Sequence, residues 1–239
     1  PPPPPTFQAD DGIRDTRIGL VGSEMCIRDR LYPGITLDNA MTPRAPRPAG
    51  PPLIIWNHRW GYDKNCETFI EAIKALEAGG LDFRLALMGE NFGKIPEAFE
   101  KARHTFKTKI VQYGYVKNRR EYESWLQKGA IMVSTAIQEN YGMSVVEAMI
   151  MGCAPLLPNR LAYPEILPEA YHDLFLYKHT YDLVEKLTGL VADFQRFEAP
   201  LEHLAVEMRS FLWPNVKAAY DEALAQLAYR KIYSKEKAI

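Results

Sequence analysis

The stretch STAIQENYGMSVVEAMIMGCAPLLP, residues 134–158, reads as the end of a buried strand, a short polar loop, one helix and another buried strand. Two carboxylates, Glu139 and Glu147, flank the junction between the loop and the helix. Gly142 and Ser144 stand where that helix begins. A helix start carries free backbone N–H groups and the positive end of the dipole, so it is a natural seat for phosphate. The stretch therefore predicts two acids that flank a phosphate-bearing ligand.

Alternating strands and helices extend from this stretch towards the amino terminus. Short apolar runs separated by helical patterns lie at residues 53–56, 83–87, 110–113, 131–135 and 154–157. This alternation predicts an α/β fold, a Rossmann-like parallel sheet with helices on both faces. The carboxyl ends of the strands then share one edge, where ligands bind in open α/β sheets. Polar loops follow the strands at residues 58–65, 89–93, 114–119, 138–142 and 159–163.

The two ends of the chain differ from this central pattern. We expect a nucleotide-sugar-binding domain over residues 51–229, with order beginning at Pro52, and a frayed charged tail over residues 230–239. Within the domain, residues 173–177 read as an edge strand. The leader, residues 1–50, opens with five prolines and lacks apolar periodicity, which is typical of disorder. Its residues 11–30 resemble translated sequencing-adapter read-through, so the leader is either artefactual or a native disordered segment.

Composition excludes several classes of protein. The net charge of −1 gives the whole chain no attraction to nucleic acid or to anionic lipid. The three cysteines are scattered and indicate neither a disulfide framework nor a zinc site, which favours a reducing, cytoplasmic location. No apolar run is long enough to span a bilayer. We expect no metal and no cofactor.

The two acids of residues 134–158 stand at a spacing that is found in a known enzyme family. Glu139, seven intervening residues and Glu147, with Gly142 between them and Gly152 after the helix, resemble the retaining family-four glycosyltransferases of the GT-B fold. The resemblance implies the C-terminal, donor-binding half of such an enzyme. It implies that Glu139 faces the donor sugar and that Glu147 binds the ribose hydroxyls.

The resemblance also implies a role for the loop after the first strand. Arg59 and Lys64 stand where family-four enzymes hold the donor diphosphate. A departing diphosphate develops negative charge, and fixed cations stabilise that charge. With Glu139, these two cations form the predicted catalytic set.

Other loops supply predicted donor-binding residues. Ser144 either donates to phosphate or caps its helix, and His58 either reaches a ligand or is a structural histidine. The full set predicted to bind the donor is Glu147, Ser144, Gly142, Met143, Gly114, Tyr115, Asn159 and Arg160. Of these, the resemblance places Gly114 and Tyr115 beside the nucleobase.

Four longer sequence strings resemble one particular family of these glycosyltransferases. The strings are WNHRW at 56–60, YDKN at 62–65, STAIQE at 134–139 and LPNRLAYPE at 157–165. Together they resemble the family of tRNA-queuosine mannosyltransferases, which implies transfer of mannose from GDP-mannose to queuosine in tRNA. Enzymes with the GT-B fold carry an acceptor half before the donor half, so the tRNA is expected to bind through an N-terminal domain absent from this sequence.

Two other functions stay open at this point. One is a non-catalytic module that binds a nucleotide and transfers nothing. The other is a sugar-nucleotide epimerase on the same fold, which needs an acid/base set around the sugar that the sequence does not reveal.

Overall fold

Six short parallel strands form one sheet in a computed structural model that describes residues 31–42 and 46–236. The order across the sheet is β3-β2-β1-β4-β5-β6, and each neighbouring pair is parallel. The predicted parallel α/β sheet is therefore confirmed. The strands are Leu53–Trp56 (β1), Arg84–Leu87 (β2), Ile110–Tyr113 (β3), Ile131–Val133 (β4), Ala154–Pro158 (β5) and Leu176–Tyr177 (β6).

Helices follow the strands along the chain. The α-helices are Cys66–Ala78 (α1), Glu97–Thr105 (α2), Arg119–Lys128 (α3), Met143–Ile150 (α4), Tyr163–Ile166 (α5), His172–Phe175 (α6), Thr180–Ala192 (α7), Glu198–Met208 (α8) and Trp213–Glu236 (α9). Short 3-10 turns lie at Tyr62–Lys64, Glu169–Tyr171, Phe194–Phe197 and Arg209–Phe211.

The helices divide between the two faces of the sheet. The chain runs from β1 outward to β3, returns to β4 beside β1, and then runs outward the other way. Right-handed crossovers in opposite directions place their helices on opposite faces. In agreement, α1 packs against α2 and α7, whereas α4 packs against α3 and α8.

The central strands lie between these helix layers and are apolar throughout. All four residues of β1, Leu53–Trp56, are buried. Helix α1 presents Phe69, Ile70, Ile73 and Leu76 to the core, at the spacing of one helical face. Burial on both faces explains why these strands read as continuous apolar runs instead of alternating ones.

The predicted edge strand over residues 173–177 is wrong in its first half. Residues His172–Phe175 form helix α6, and only Leu176–Tyr177 pair with β5. Asp173 and Leu174 are exposed, so this segment lacks the buried run that a longer strand needs.

Order begins earlier than the expected Pro52. Ile35, Leu37 and Ala40 are buried, although they come from the leader. The Ile35 amide donates to the carbonyl of Phe211 across 2.8 Å. Isolated apolar residues of this kind have no periodicity for a sequence pattern to detect. Residues 1–30, including the segment that resembles adapter read-through, lie outside the described residues.

The described chain divides into two compact units. Residues 33–217 hold the sheet, and the second unit includes residues 31–32 and 218–236. Within that second unit, the Tyr220 hydroxyl donates to the carbonyl of Tyr32 across 3.0 Å. Helix α9 extends to Glu236, beyond the expected end at residue 229, while residues 237–239 of the expected tail lie outside the described part.

None of the helices in the described part of the chain combines the length and apolar character of a membrane span.

Candidate active site

The loop after β1 brings Lys64 against Glu139 in the loop after β4. Lys64 Nζ lies 3.1 Å from Glu139 Oε2 and donates to the carbonyl of Gln138 across 2.7 Å. The Lys64 side chain is buried and makes a further ion pair with Asp63 at 3.3 Å. A buried ammonium needs such partners because water no longer solvates its charge. The two loops are thereby joined at the carboxyl edge of the sheet.

Arg59 belongs to the same group of charges through Asp63. Arg59 Nη2 donates to Asp63 Oδ2 across 3.0 Å, while 57% of its side chain stays exposed. Burial opposes ionisation of Asp63, yet hydrogen bonds and charges from Arg59 and Lys64 hold the pKa of Asp63 below its ordinary value. Asp63 is thus a carboxylate shared by the two cations predicted to bind diphosphate.

Helix α4 begins beside Glu139. Gly142 precedes the helix with a φ of +89°, in the left-handed region that favours glycine. A Cβ at this position would lie 3.6 Å from Glu139 Cγ and 3.3 Å from the ring of Tyr163. Ser144 is half-buried and does not cap its helix, and Met143 is exposed. The tight turn thus sets the helix start next to the first acid.

The second acid, Glu147, lies on the first turns of α4 and contacts α3. Arg119 Nη2 donates to one carboxylate oxygen across 2.8 Å, and the Tyr122 hydroxyl donates to the other across 2.7 Å. Asn57 Nδ2 in turn donates to the Tyr122 hydroxyl and to the Ser144 carbonyl. Each of the two acids therefore has its own cation, and the loop after β1 reaches both groups.

A cavity of about 310 Å³ opens at this edge of the sheet. It lies between the loops that follow β1, β2 and β3 and the start of α3. Its lining includes Asn57, Arg59, Glu90, Tyr115, Lys117 and Arg119. Cations therefore outnumber acids around a space with the dimensions of a small polar ligand.

The remaining predicted residues lie in loops at the same edge. Tyr115 is 55% exposed within the cavity lining, and it follows Gly114, whose φ is +100°. Asn159 and Arg160 are exposed after β5, and Arg160 Nη2 donates to the Ala136 carbonyl across 3.1 Å. Among the described residues, neither of these two side chains bonds to Glu139 or Glu147.

His58 lies on the inner side of the same loop. It is 3% exposed and packs against Trp56 with ring centroids 5.2 Å apart. Burial, reinforced by the nearby Lys64 charge, lowers the pKa of His58 to about 3. The imidazole is therefore neutral at physiological pH. This arrangement favours the structural alternative for His58.

Sequence reasoning missed four polar residues of this region: Asp63, Asn57, Arg119 and Tyr122. Arg119 stands between Lys117 and Arg120, so the sequence shows only a cluster of surface cations. Asn57 directly follows β1, and that position at a carboxyl strand end was a usable signal. Within the described ranges, no group of three or more His, Cys, Asp or Glu residues could hold a metal ion.

The part of the chain that holds the sheet is similar to known proteins. The profile of the family described as glycosyl transferases group 1 matches residues 51–193. The chain is also 39% identical, over 116 residues, to the tRNA-queuosine alpha-mannosyltransferase of Drosophila melanogaster. That match covers 48% of this chain and spans 30% of the relative's length.

Solved structures show the same fold at low sequence identity. One is the C-terminal domain of a glycosyl transferase group 1 family protein from Francisella tularensis, with a TM-score of 0.56 and 21% identity. That match covers 75% of this chain and 94% of that domain. Another is the catalytic domain of cholesterol-alpha-glucosyltransferase from Helicobacter pylori, with a TM-score of 0.53 and 19% identity. It covers 68% of this chain and 99% of that one.

Proposed function

We propose, since this chain belongs to the group 1 glycosyl transferase family, that it is the donor-binding half of a retaining glycosyltransferase. The whole enzyme would transfer a hexose from a nucleotide sugar. One observation carries the proposal: two acid–cation pairs, Lys64–Glu139 and Arg119–Glu147, lie at the carboxyl edge of the sheet that also bears the cavity. Sheets of this class bind their ligands at that edge.

The first pair supplies the proposed catalytic set. Glu139 would orient the donor sugar, while Lys64 and Arg59 would stabilise the leaving diphosphate. Lys64 and Arg59 already share the carboxylate of Asp63, so the lysine and the arginine are held close to one another without a ligand. Such preorganised cations need little rearrangement when charge develops on the leaving group.

The helix start and the second pair supply the proposed donor seat. The N–H groups at Gly142, Met143 and Ser144 would hold phosphate oxygens, because a helix start favours anions. Glu147, which lies one turn further along α4, would accept hydrogen bonds from the ribose. The four remaining loop residues would surround the base and sugar: Gly114, Tyr115, Asn159 and Arg160.

The proposed reaction breaks the bond between the anomeric carbon and the diphosphate oxygen, and the electron pair leaves with the diphosphate. The acceptor hydroxyl oxygen bonds to the anomeric carbon from the same face. Its proton passes to a departing phosphate oxygen. This course requires no protein nucleophile, in keeping with a site whose acids are both bound to cations.

For the finer specificity, we propose mannose from GDP-mannose as donor and queuosine in tRNA as acceptor. Support comes from the identity with the tRNA-queuosine alpha-mannosyltransferase of Drosophila melanogaster. The match spans 30% of that relative, so the acceptor is proposed for the whole enzyme. A tRNA acceptor is consistent with a cytoplasmic location for the enzyme.

Calorimetry on the folded 239-residue chain tests the donor seat. We expect GDP and GDP-mannose to bind, and to bind more tightly than UDP-sugars. The variant Glu147→Gln should weaken this binding, whereas Glu185→Gln, an exposed acid on α7, should not. Failure of every nucleotide to bind the folded chain would contradict the proposal. Mass spectrometry of products from the full-length protein with tRNA then separates transfer from epimerisation and from binding alone.

A further inference from the structure

The side-chain amide of Asn57 is held in one orientation at the cavity. Its Nδ2 donates to the Tyr122 hydroxyl across 3.0 Å and to the Ser144 carbonyl across 3.2 Å. A carbonyl oxygen can only accept, so the NH₂ end of the amide must face Ser144. The opposite end, Oδ1, is therefore fixed as an acceptor.

That acceptor is unused. Asn57 is 7% exposed, and its Oδ1 is buried with no hydrogen-bond partner among the described residues. Buried polar atoms in native proteins are nearly always paired, because an unpaired one loses its water without compensation. Since Asn57 lines the cavity, a ligand that donates a hydrogen bond can supply the missing partner.

The surroundings indicate which part of a nucleotide this would be. Arg59 and Arg119 line the cavity and offer only donors, which suit phosphate oxygens. A ribose hydroxyl needs an acceptor. The Tyr122 hydroxyl links Asn57 directly to Glu147, the carboxylate proposed to hold the ribose. Asn57 Oδ1 and Glu147 are thus two acceptors separated by a single tyrosine.

We propose that Asn57 is a further donor-binding residue, whose Oδ1 accepts a hydrogen bond from a ribose hydroxyl of the nucleotide. This inference rests on the proposed function, since it places the ribose beside Glu147. It also makes Tyr122 a positioning residue, because its hydroxyl orients both acceptors at once.

Calorimetry with GDP, 2′-deoxy-GDP and 3′-deoxy-GDP tests the assignment on the 239-residue chain. The unaltered chain should lose affinity when one of the two hydroxyls is removed. Asn57→Ala should bind GDP roughly two- to tenfold more weakly, the worth of one neutral hydrogen bond. The same variant should lose most of its discrimination between GDP and that deoxy analogue. Asn215→Ala, which removes an exposed side-chain amide that donates to the Arg209 carbonyl, serves as the matched control and should behave as the unaltered chain.

The outcomes separate the two proposals. If the unaltered chain binds no nucleotide, the proposed function fails, and the role of Asn57 fails with it. If it binds GDP and Asn57→Ala keeps the full discrimination against both analogues, only the role of Asn57 is overturned, and Oδ1 meets water alone. Should Asn57→Ala not fold, Asn57→Leu decides, because it keeps the volume of the side chain and lacks Oδ1: lost discrimination supports the proposal, and kept discrimination overturns it.

Discussion

Lys64 and Glu139 form an ion pair, with Nζ 3.1 Å from Oε2, although the two residues are 75 positions apart in the sequence. Only 10% of the lysine side chain and 17% of the glutamate side chain are exposed. The pair joins the loop after β1 to the loop after β4, which are neighbours in the sheet. A donor diphosphate that binds Lys64 would share its ammonium with Glu139. The pair should therefore affect both the stability of the fold and the binding of the donor.

The stability of the domain should depend on this lysine. Lys64→Met leaves Asp63 and Glu139 without their shared cation in a buried place, which should lower the free energy of unfolding by about 3 kcal/mol. Urea denaturation followed by circular dichroism measures the change. Lys101→Met is the control, because the Lys101–Glu97 pair is 69% and 78% exposed. Its effect should be much smaller, because water screens an exposed pair, and an equal loss in both variants would refute the role of Lys64.

Arg59 should matter for turnover more than for folding. Its side chain is largely exposed, so Arg59→Ala should leave unfolding nearly unchanged. In the full-length enzyme we expect kcat to fall by roughly two orders of magnitude, as for loss of a group that stabilises a developing charge. Arg120→Ala, 85% exposed on α3, is the control. A raised KM at constant kcat would show instead that Arg59 binds the ground state and the transition state equally.

The accuracy of sequence reasoning varied with the kind of signal. The predicted bounds of β1 and β3, 53–56 and 110–113, match the structure residue for residue. A run of four residues between turn residues is shorter than a typical helix, so a strand is the favoured regular structure. Arg119 was passed over because its partner, Glu147, is distant in sequence and only the packing of α3 on α4 joins them. Ile35 was missed for the same reason, because its pairing with Leu212 is set by tertiary structure alone.

The turn at Gly142 should tolerate no side chain without cost. Gly142→Ala forces a Cβ into a φ of +89° and within 3.3 Å of the Tyr163 ring. We expect the free energy of unfolding to fall by about 1–2 kcal/mol and nucleotide binding to weaken. Gly189→Ala is the control with the opposite sign. Beyond the backbone of α7 itself, none of the described residues comes within 4 Å of a Cβ there, and an alanine inside α7 should add about 0.5–1 kcal/mol. Similar losses in both variants would rule out strain specific to Gly142.

The buried imidazole of His58 should make the fold sensitive to acid. Burial first, and then the charge of Lys64, lower the pKa of His58 from 6.5 to about 3. Between these two values the unfolded chain binds a proton that the folded chain does not. The free energy of unfolding should therefore fall by about 1.4 kcal/mol for each pH unit below 6.5, and level off near pH 3.

Urea titrations at pH 7 and pH 5 measure this contribution from His58. His58→Gln keeps a polar side chain but cannot take up the proton, so it should escape about 2 kcal/mol of the acid destabilisation seen in the unaltered chain. His104→Gln, at an exposed position on α2, should retain the full loss. An identical loss of stability in the unaltered chain and in His58→Gln would mean that His58 takes up its proton in the folded state as readily as in the unfolded one. The neutral, structural role assigned to this histidine beneath the diphosphate loop would then be wrong.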